Sequence, residues 1–209
     1  MEITIETAAG PGRVEVTLPI GEAAFLLVLT HGAGGTPDTP DVLAVRDAGL
    51  ALGAVTAQVT QPYVVRGARA PGSASKQDAA WAEIVAALQE AHPGLPLVQG
   101  GRSNGARVAC RTARAVSARG VIALAFPLHP PGQPERTRAG ELSETGTEVL
   151  VLNGDRDPFG VPEESESARV AVLPGETHAL AKNPVHIGEV VTAWLREVLA
   201  SQQGTRRRR

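Results

Sequence analysis

Hydrophobic positions recur along this chain in two rhythms, and the change from one to the other marks out its architecture. Residues 2–6 and 13–18 alternate apolar and polar side chains on either side of Ala8-Ala9-Gly10-Pro11-Gly12. Alternation about a Gly/Pro turn predicts two antiparallel strands, each with one buried face. Beyond them, apolar residues gather into short, nearly continuous runs at 25–30, 54–59, 97–101, 121–126, 149–153 and 170–173. Such runs suit strands covered on both faces, as parallel strands are.

Between the runs the spacing becomes helical. Trp81, Ile84, Val85 and Leu88 form one stripe behind Ser75-Lys76-Gln77-Asp78, which has capping-box form. A second helix should open at Asn104 and carry Val108, Cys110 and Ala113 inward. The last begins with Asn183 as N-cap and Pro184 at the first helical position, and buries Ile187, Val190, Val191, Trp194, Leu195 and Val198. The tryptophans fall at core spacing and read as packing residues. Strand alternating with helix predicts an α/β domain whose parallel sheet is covered on both sides. No repeat or linker interrupts the order, so one domain is expected over residues 1–201, with a flexible basic tail at 202–209.

Composition narrows the class. The 43% hydrophobic content of 209 residues is ample for one large core. Net charge is −2, and it becomes −6 without Arg206, Arg207, Arg208 and Arg209, so basic charge is concentrated in the tail. Nucleic acid is not expected as a partner apart from that tail. The single cysteine, Cys110, excludes an internal disulfide. No signal-peptide pattern or membrane-length apolar run is visible, and a soluble cytoplasmic protein is expected.

One segment carries chemistry. Residues 101–105 read Gly-Arg-Ser-Asn-Gly, a G-x-S-x-G pattern set where a strand should feed a helix. Glycines two positions either side let the chain turn sharply at Ser103, and the helix N-terminus aims N–H groups at an oxyanion formed there. A phosphate loop is the competing reading, but GGRSNGAR lacks the G-K-[ST] ending and the G-x-G-x-x-G spacing. A serine nucleophile needs a base and an orienting acid. Of five histidines, His178 follows the last strand and so lies at the same sheet edge; His129 is the nearest rival. Asp157, further into its loop than Asp155, is the expected acid. The resulting order Ser103, Asp157, His178 is the serine–acid–histidine order of hydrolases with a nucleophile elbow. Oxyanion donors are expected from Asn104 and from Ala33 or Gly34 in the Gly-rich loop at 32–35. His31, Tyr63, Arg66, Arg69, Arg102 and His129 are candidate substrate contacts, and the arginines could hold a carboxylate. No residue cluster has zinc spacing, and the chemistry requires no cofactor.

These segments together resemble the alpha/beta-hydrolase superfamily over essentially the whole folded length. LTHGAGG, QPYVVRGARAP, GGRSNGARVA, FPLHPPGQPER, NGDRDPFG and LPGETHAL are most similar to a small, capless, dienelactone-hydrolase-like branch. That branch includes the hydrolase-like region of a subunit of the nonspecific-lethal chromatin complex. The resemblance implies an eight-stranded, mostly parallel sheet and the triad Ser103, Asp157, His178. Dienelactone hydrolases proper use a cysteine, whereas position 103 is serine and Cys110 reads as a small buried residue. Residues 127–148 are too few for a cap domain, so an open site for a small-molecule acyl substrate is expected. The function expected is cleavage of an ester or thioester through an acyl-enzyme. Acyl transfer by the same residues, or a non-catalytic interaction module on the same fold, are the alternatives.

Overall fold

The structure, a computed structural model, describes residues 1–200. The expected tail at 202–209 lies outside the described residues. Eight strands form one sheet: β1 (Glu2–Ile5), β2 (Gly12–Thr17), β3 (Phe25–Thr30), β4 (Ala54–Thr60), β5 (Leu97–Arg102), β6 (Gly120–Leu124), β7 (Glu148–Gly154) and β8 (Ala168–Leu173). Their order is β1-β2-β4-β3-β5-β6-β7-β8. The hairpin β1–β2 is antiparallel and pairs antiparallel with β4; every neighbour from β4 through β8 is parallel.

Among the described residues six helices accompany the sheet: α1 (Pro40–Ala51), α2 (Pro62–Val65), α3 (Ala74–Ala91), α4 (Asn104–Thr112), α5 (Ala139–Ser143) and α6 (Pro184–Ala200). Strand β3 shows how two cores arise from one sheet. Phe25, Leu27 and Leu29 point to a core shared with Val42 and Val45 of α1 and Ile187, Val191 and Trp194 of α6. Leu26 and Val28 point the other way, against Trp81, Ile84, Val85 and Leu88 of α3. A third cluster seats Ala106, Ala109 and Cys110 of α4 on Val121 and Ala123 of β6. The two-residue period of a strand therefore divides its side chains between two helical layers.

Several element boundaries differ from the sequence expectation. Helix α3 starts at Ala74 behind Ser73, so the capping-box reading at Ser75 is two residues late, and Ser73 makes no side-chain cap bond. Asn183 does accept the His186 N–H at 3.2 Å, as an N-cap should. Helix α1 was not predicted. Its buried face uses Ala48 and Gly49 beside only two valines, Val42 and Val45, which gives a weak apolar stripe.

Two buried polar ties fix the helix that follows β5. The Trp81 indole N–H donates to Gln99 Oε1 at 2.7 Å, and Gln99 Nε2 donates to the Ala109 carbonyl at 2.7 Å. Gln99 is fully buried within β5, so this chain joins α3, β5 and α4 through satisfied hydrogen bonds. On the surface of α4, Arg111 pairs with Asp78 of α3 and Arg107 with Glu141 of α5. No described helix is long and apolar enough to cross a membrane.

Candidate active site

Parallel strands deliver their C-terminal ends to one edge, and the loops there hold the chemistry. Strand β5 ends at Arg102, and α4 begins at Asn104, leaving Ser103 alone at the corner. Its backbone takes φ 53° and ψ −113°, a conformation side chains rarely adopt. The turn closes only over glycines. A Cβ at Gly101 would come within 2.7 Å of the Gly105 carbonyl carbon, and one at Gly105 within 2.5 Å of the His31 carbonyl oxygen. The Ser103 N–H is spent on the Leu124 carbonyl at 2.8 Å, which anchors the corner to β6.

The Ser103 hydroxyl donates to Nε2 of His178 across 2.9 Å, and Nδ1 of that ring donates to Asp157 Oδ2 across 2.8 Å. The Asp157 side chain is fully buried, while the His178 side chain keeps a fifth of its surface open. Asp157 is itself held: the Phe159 N–H donates to Oδ1 at 2.9 Å, and Asn153 Nδ2 lies 3.4 Å from Oδ2. The Phe159 ring stacks obliquely on the imidazole, with centroids 4.3 Å apart. Asp155 instead accepts the Gly175 N–H at 2.8 Å and so joins the two loops as a turn residue.

The remaining expected residues fall differently. His31 is fully buried. Its Nε2 accepts the Gln61 N–H at 3.0 Å, so Nδ1 carries the proton and donates to the Gly32 carbonyl at 2.7 Å. With both nitrogens engaged, it pins the 32–35 loop. Burial holds its pKa below the ordinary value, which keeps the ring neutral. The Tyr63 hydroxyl likewise donates to the Ala33 carbonyl at 2.8 Å, and burial pushes its pKa up to about 12. Gly32 packs directly beside Ser103, while Ala33 and Gly34 are exposed.

His129 is not placed as a base. Its ring lies against Gly160, its Nδ1 bonds the Pro130 carbonyl at 2.8 Å, and its N–H reaches the Phe159 carbonyl. It braces the loop that carries Asp157. Arg66 packs over the hairpin at Gly10 and, with Tyr63, lines a cavity of about 610 Å³ that contains no member of the relay. Arg69 is exposed. Arg102 is not a free cation at the mouth: it meets Asp41 and the His178 carbonyl. Cys110 is buried in α4 and burial pushes its thiol up, which leaves it no nucleophilic role.

Sequence reasoning overlooked three contributors. Asp41, Phe159 and Glu176 are buried or pressed against the site. Glu176 accepts the N–H groups of Lys182 and Asn183 and so ties the His178 loop to the start of α6. The signal for Phe159 was its place in the quoted DRDPFG segment. Asp41 and Glu176 carried none, because a lone carboxylate in a polar stretch looks like any solvated one.

This geometry can be set beside known proteins. No curated protein matches the sequence significantly. Solved structures do share the fold. XC6422 from Xanthomonas campestris, an α/β serine hydrolase without a lid, superposes with a TM-score of 0.77 at 18% identity, covering 96% of this chain and 95% of that one. An alpha-beta serine hydrolase homologue from Coxiella burnetii gives 0.79 at 19% identity, over 93% and 97%. Est1E from Butyrivibrio proteoclasticus gives 0.76 at 16% identity, over 95% and 99%. At such identities the likeness shows the fold, an eight-stranded alpha/beta-hydrolase sheet without a lid. The model of the family described as "Alpha/beta hydrolase domain" matches residues 23–182, the stretch that holds Ser103, Asp157 and His178. With most of its length matched, this chain belongs to the alpha/beta hydrolase family.

Proposed function

We propose that the protein is a serine hydrolase that cleaves a carboxylic ester or thioester through an acyl-enzyme. One observation carries the reading: the strained Ser103 donates to an imidazole that in turn donates to a buried carboxylate, at 2.9 and 2.8 Å. In this reading His178 Nε2 takes the hydroxyl proton as Ser103 Oγ bonds to the acyl carbon. The carbonyl π electrons move to oxygen, where N–H groups of Asn104 and of Ala33 or Gly34 stabilise the charge. The oxyanion electrons then return to carbon as the substrate's C–O or C–S bond breaks, and imidazolium protonates the departing oxygen or sulfur. Water repeats the sequence, giving up its proton to His178 and releasing the acid. Asp157 holds the Nδ1–H tautomer throughout and remains a carboxylate.

Two further points support esters of modest size. Residues between β6 and β7 supply only the short helix α5 and loops, so no cap covers the serine. A structurally similar protein, Est1E, has been solved with ferulic acid bound. The test is hydrolysis of a panel of 4-nitrophenyl esters and acyl thioesters by the parent and by Ser103→Ala. Turnover by the parent that falls by at least about a thousandfold in the variant is expected. Equal turnover in both overturns the proposal.

A further inference from the structure

We propose that Asp41 and Arg102 form a positioning pair that fixes the loop of the base relative to the strand of the nucleophile; the inference rests on the serine-hydrolase reading. Arg102 immediately precedes Ser103 at the end of β5. One end of its guanidinium, Nη2, donates to the main-chain carbonyl of His178 at 2.8 Å. Its Nε lies 3.2 Å from Asp41 Oδ2 in the first turn of α1. Its Nη1 runs along Gly32, where an added Cβ would sit 3.5 Å away. A single planar group thus touches the base's own backbone, the loop beside the nucleophile and α1.

Energetics argue that the pair serves geometry more than stability. The Asp41 side chain is wholly buried, and that of Arg102 is four-fifths buried. The Asp41–Arg102 approach is a charge contact and not an aligned hydrogen bond, so the carboxylate recovers only part of its desolvation cost. Burial raises the Asp41 pKa, with the Thr39 side chain and then Arg102 opposing the rise. A buried pair of this kind is often no more stable than apolar residues of the same shape. Arg102 nevertheless brings a fixed, forked donor to the one carbonyl whose displacement would swing the imidazole away from Ser103. His178 sits in a loop, between β8 and α6, with no sheet register to hold it. Small displacements matter there: an error of about 1 Å in a reacting group costs roughly a hundredfold.

The two partners depend on each other. Without the Asp41 carboxylate, Arg102 Nε loses its fixed neighbour, and the Nη2 donor to the His178 carbonyl loses part of its anchorage.

The test compares the parent with Asp41→Asn, Arg102→Lys and the double variant Arg102→Met/Asp41→Asn, which leaves no unpaired buried charge. Two readouts are taken after circular dichroism has established folding. The first is kcat and KM for a 4-nitrophenyl ester across pH. The second is the downfield proton resonance of His178 Nδ1–H, assigned with His178→Gln, which reports the bond to Asp157 whether or not the protein turns over. In the double variant kcat should fall about tenfold to a hundredfold with KM nearly unchanged, and the resonance should broaden or vanish. Arg102→Lys should restore part of both, and Asp41→Asn should lose part of both. A double variant with the parental resonance and kcat overturns the inference. Should the double variant not fold, Asp41→Asn decides it: a parental resonance together with a parental kcat in that variant overturns it. A parent that turns over no ester defeats the hydrolase reading alone, because the resonance still decides the pair.

Discussion

At the residue scale, the site depends on polar groups that are buried in a chosen charge state. His31 is the clearest case, because its neutral tautomer is fixed by one donor and one acceptor. Its pKa is lowered from 6.5 by burial, so the unfolded chain binds this proton before the folded one as pH falls. The stability it contributes is present above about pH 6.5 and is lost as pH drops toward the folded value. Asp41 has the opposite sign: its raised pKa means stability present below the ordinary 3.8 and lost as pH rises through the folded value. Urea unfolding midpoints should therefore decline from about pH 7 to about pH 5.5, and His31→Gln should flatten that decline. A variant with the parental slope would show that another group titrates there.

At the element scale, the strand-to-helix corner at Ser103 is possible because two glycines let β5, α4 and the His31 loop approach within contact of their backbones. Gly105→Ala places a methyl carbon 2.5 Å from the His31 carbonyl, a backbone atom that cannot step aside. It should destabilise the fold by about 1–3 kcal/mol in urea titrations. Gly34→Ala, with nothing within 4 Å, should change stability little. Equal effects from the two substitutions would contradict the packing described. The corner was readable in the sequence since its requirement is steric, and only glycine at 101 and 105 meets it. The parallel strands were readable too, because burial on both faces imposes unbroken apolar runs. Helix α1 was not, as it packs through Ala48 and Gly49, whose small side chains leave no helical stripe. Nor was the inward turn of His31 or Arg102. Their partners, the Gln61 N–H, the His178 carbonyl and Asp41, lie 30, 76 and 61 positions away in sequence (102 − 41 = 61 for the last), and only the folded sheet edge brings them together.

At the scale of the whole molecule, one sheet supports two helical layers, and the site draws on both. The loops of Asp157 and His178 leave β7 and β8, beside the layer of α1 and α6, while helix α4, which follows Ser103, belongs to the other layer with α3 and α5. Trp194 reports the first layer and Trp81 the second, each almost wholly buried. Because every strand from β3 to β7 has neighbours on both sides, neither layer can detach without exposing the sheet. Trp81→Phe and Trp194→Phe variants, each read by the remaining indole, should show fluorescence transitions with the same urea dependence as far as the lost packing allows. Two separated transitions within the parent protein would instead mean that the layers unfold independently. The same architecture leaves Ser103 uncovered, so a small electrophile should reach it directly.

The central claim is that this serine is activated, and reaction of the folded protein with a fluorophosphonate, followed by intact mass and peptide mapping, tests it most directly. One adduct on Ser103 is expected in the parent, with none in Ser103→Ala and slow, incomplete formation in His178→Gln. A folded parent that forms no adduct, or one that forms it on a residue other than Ser103, would contradict the account.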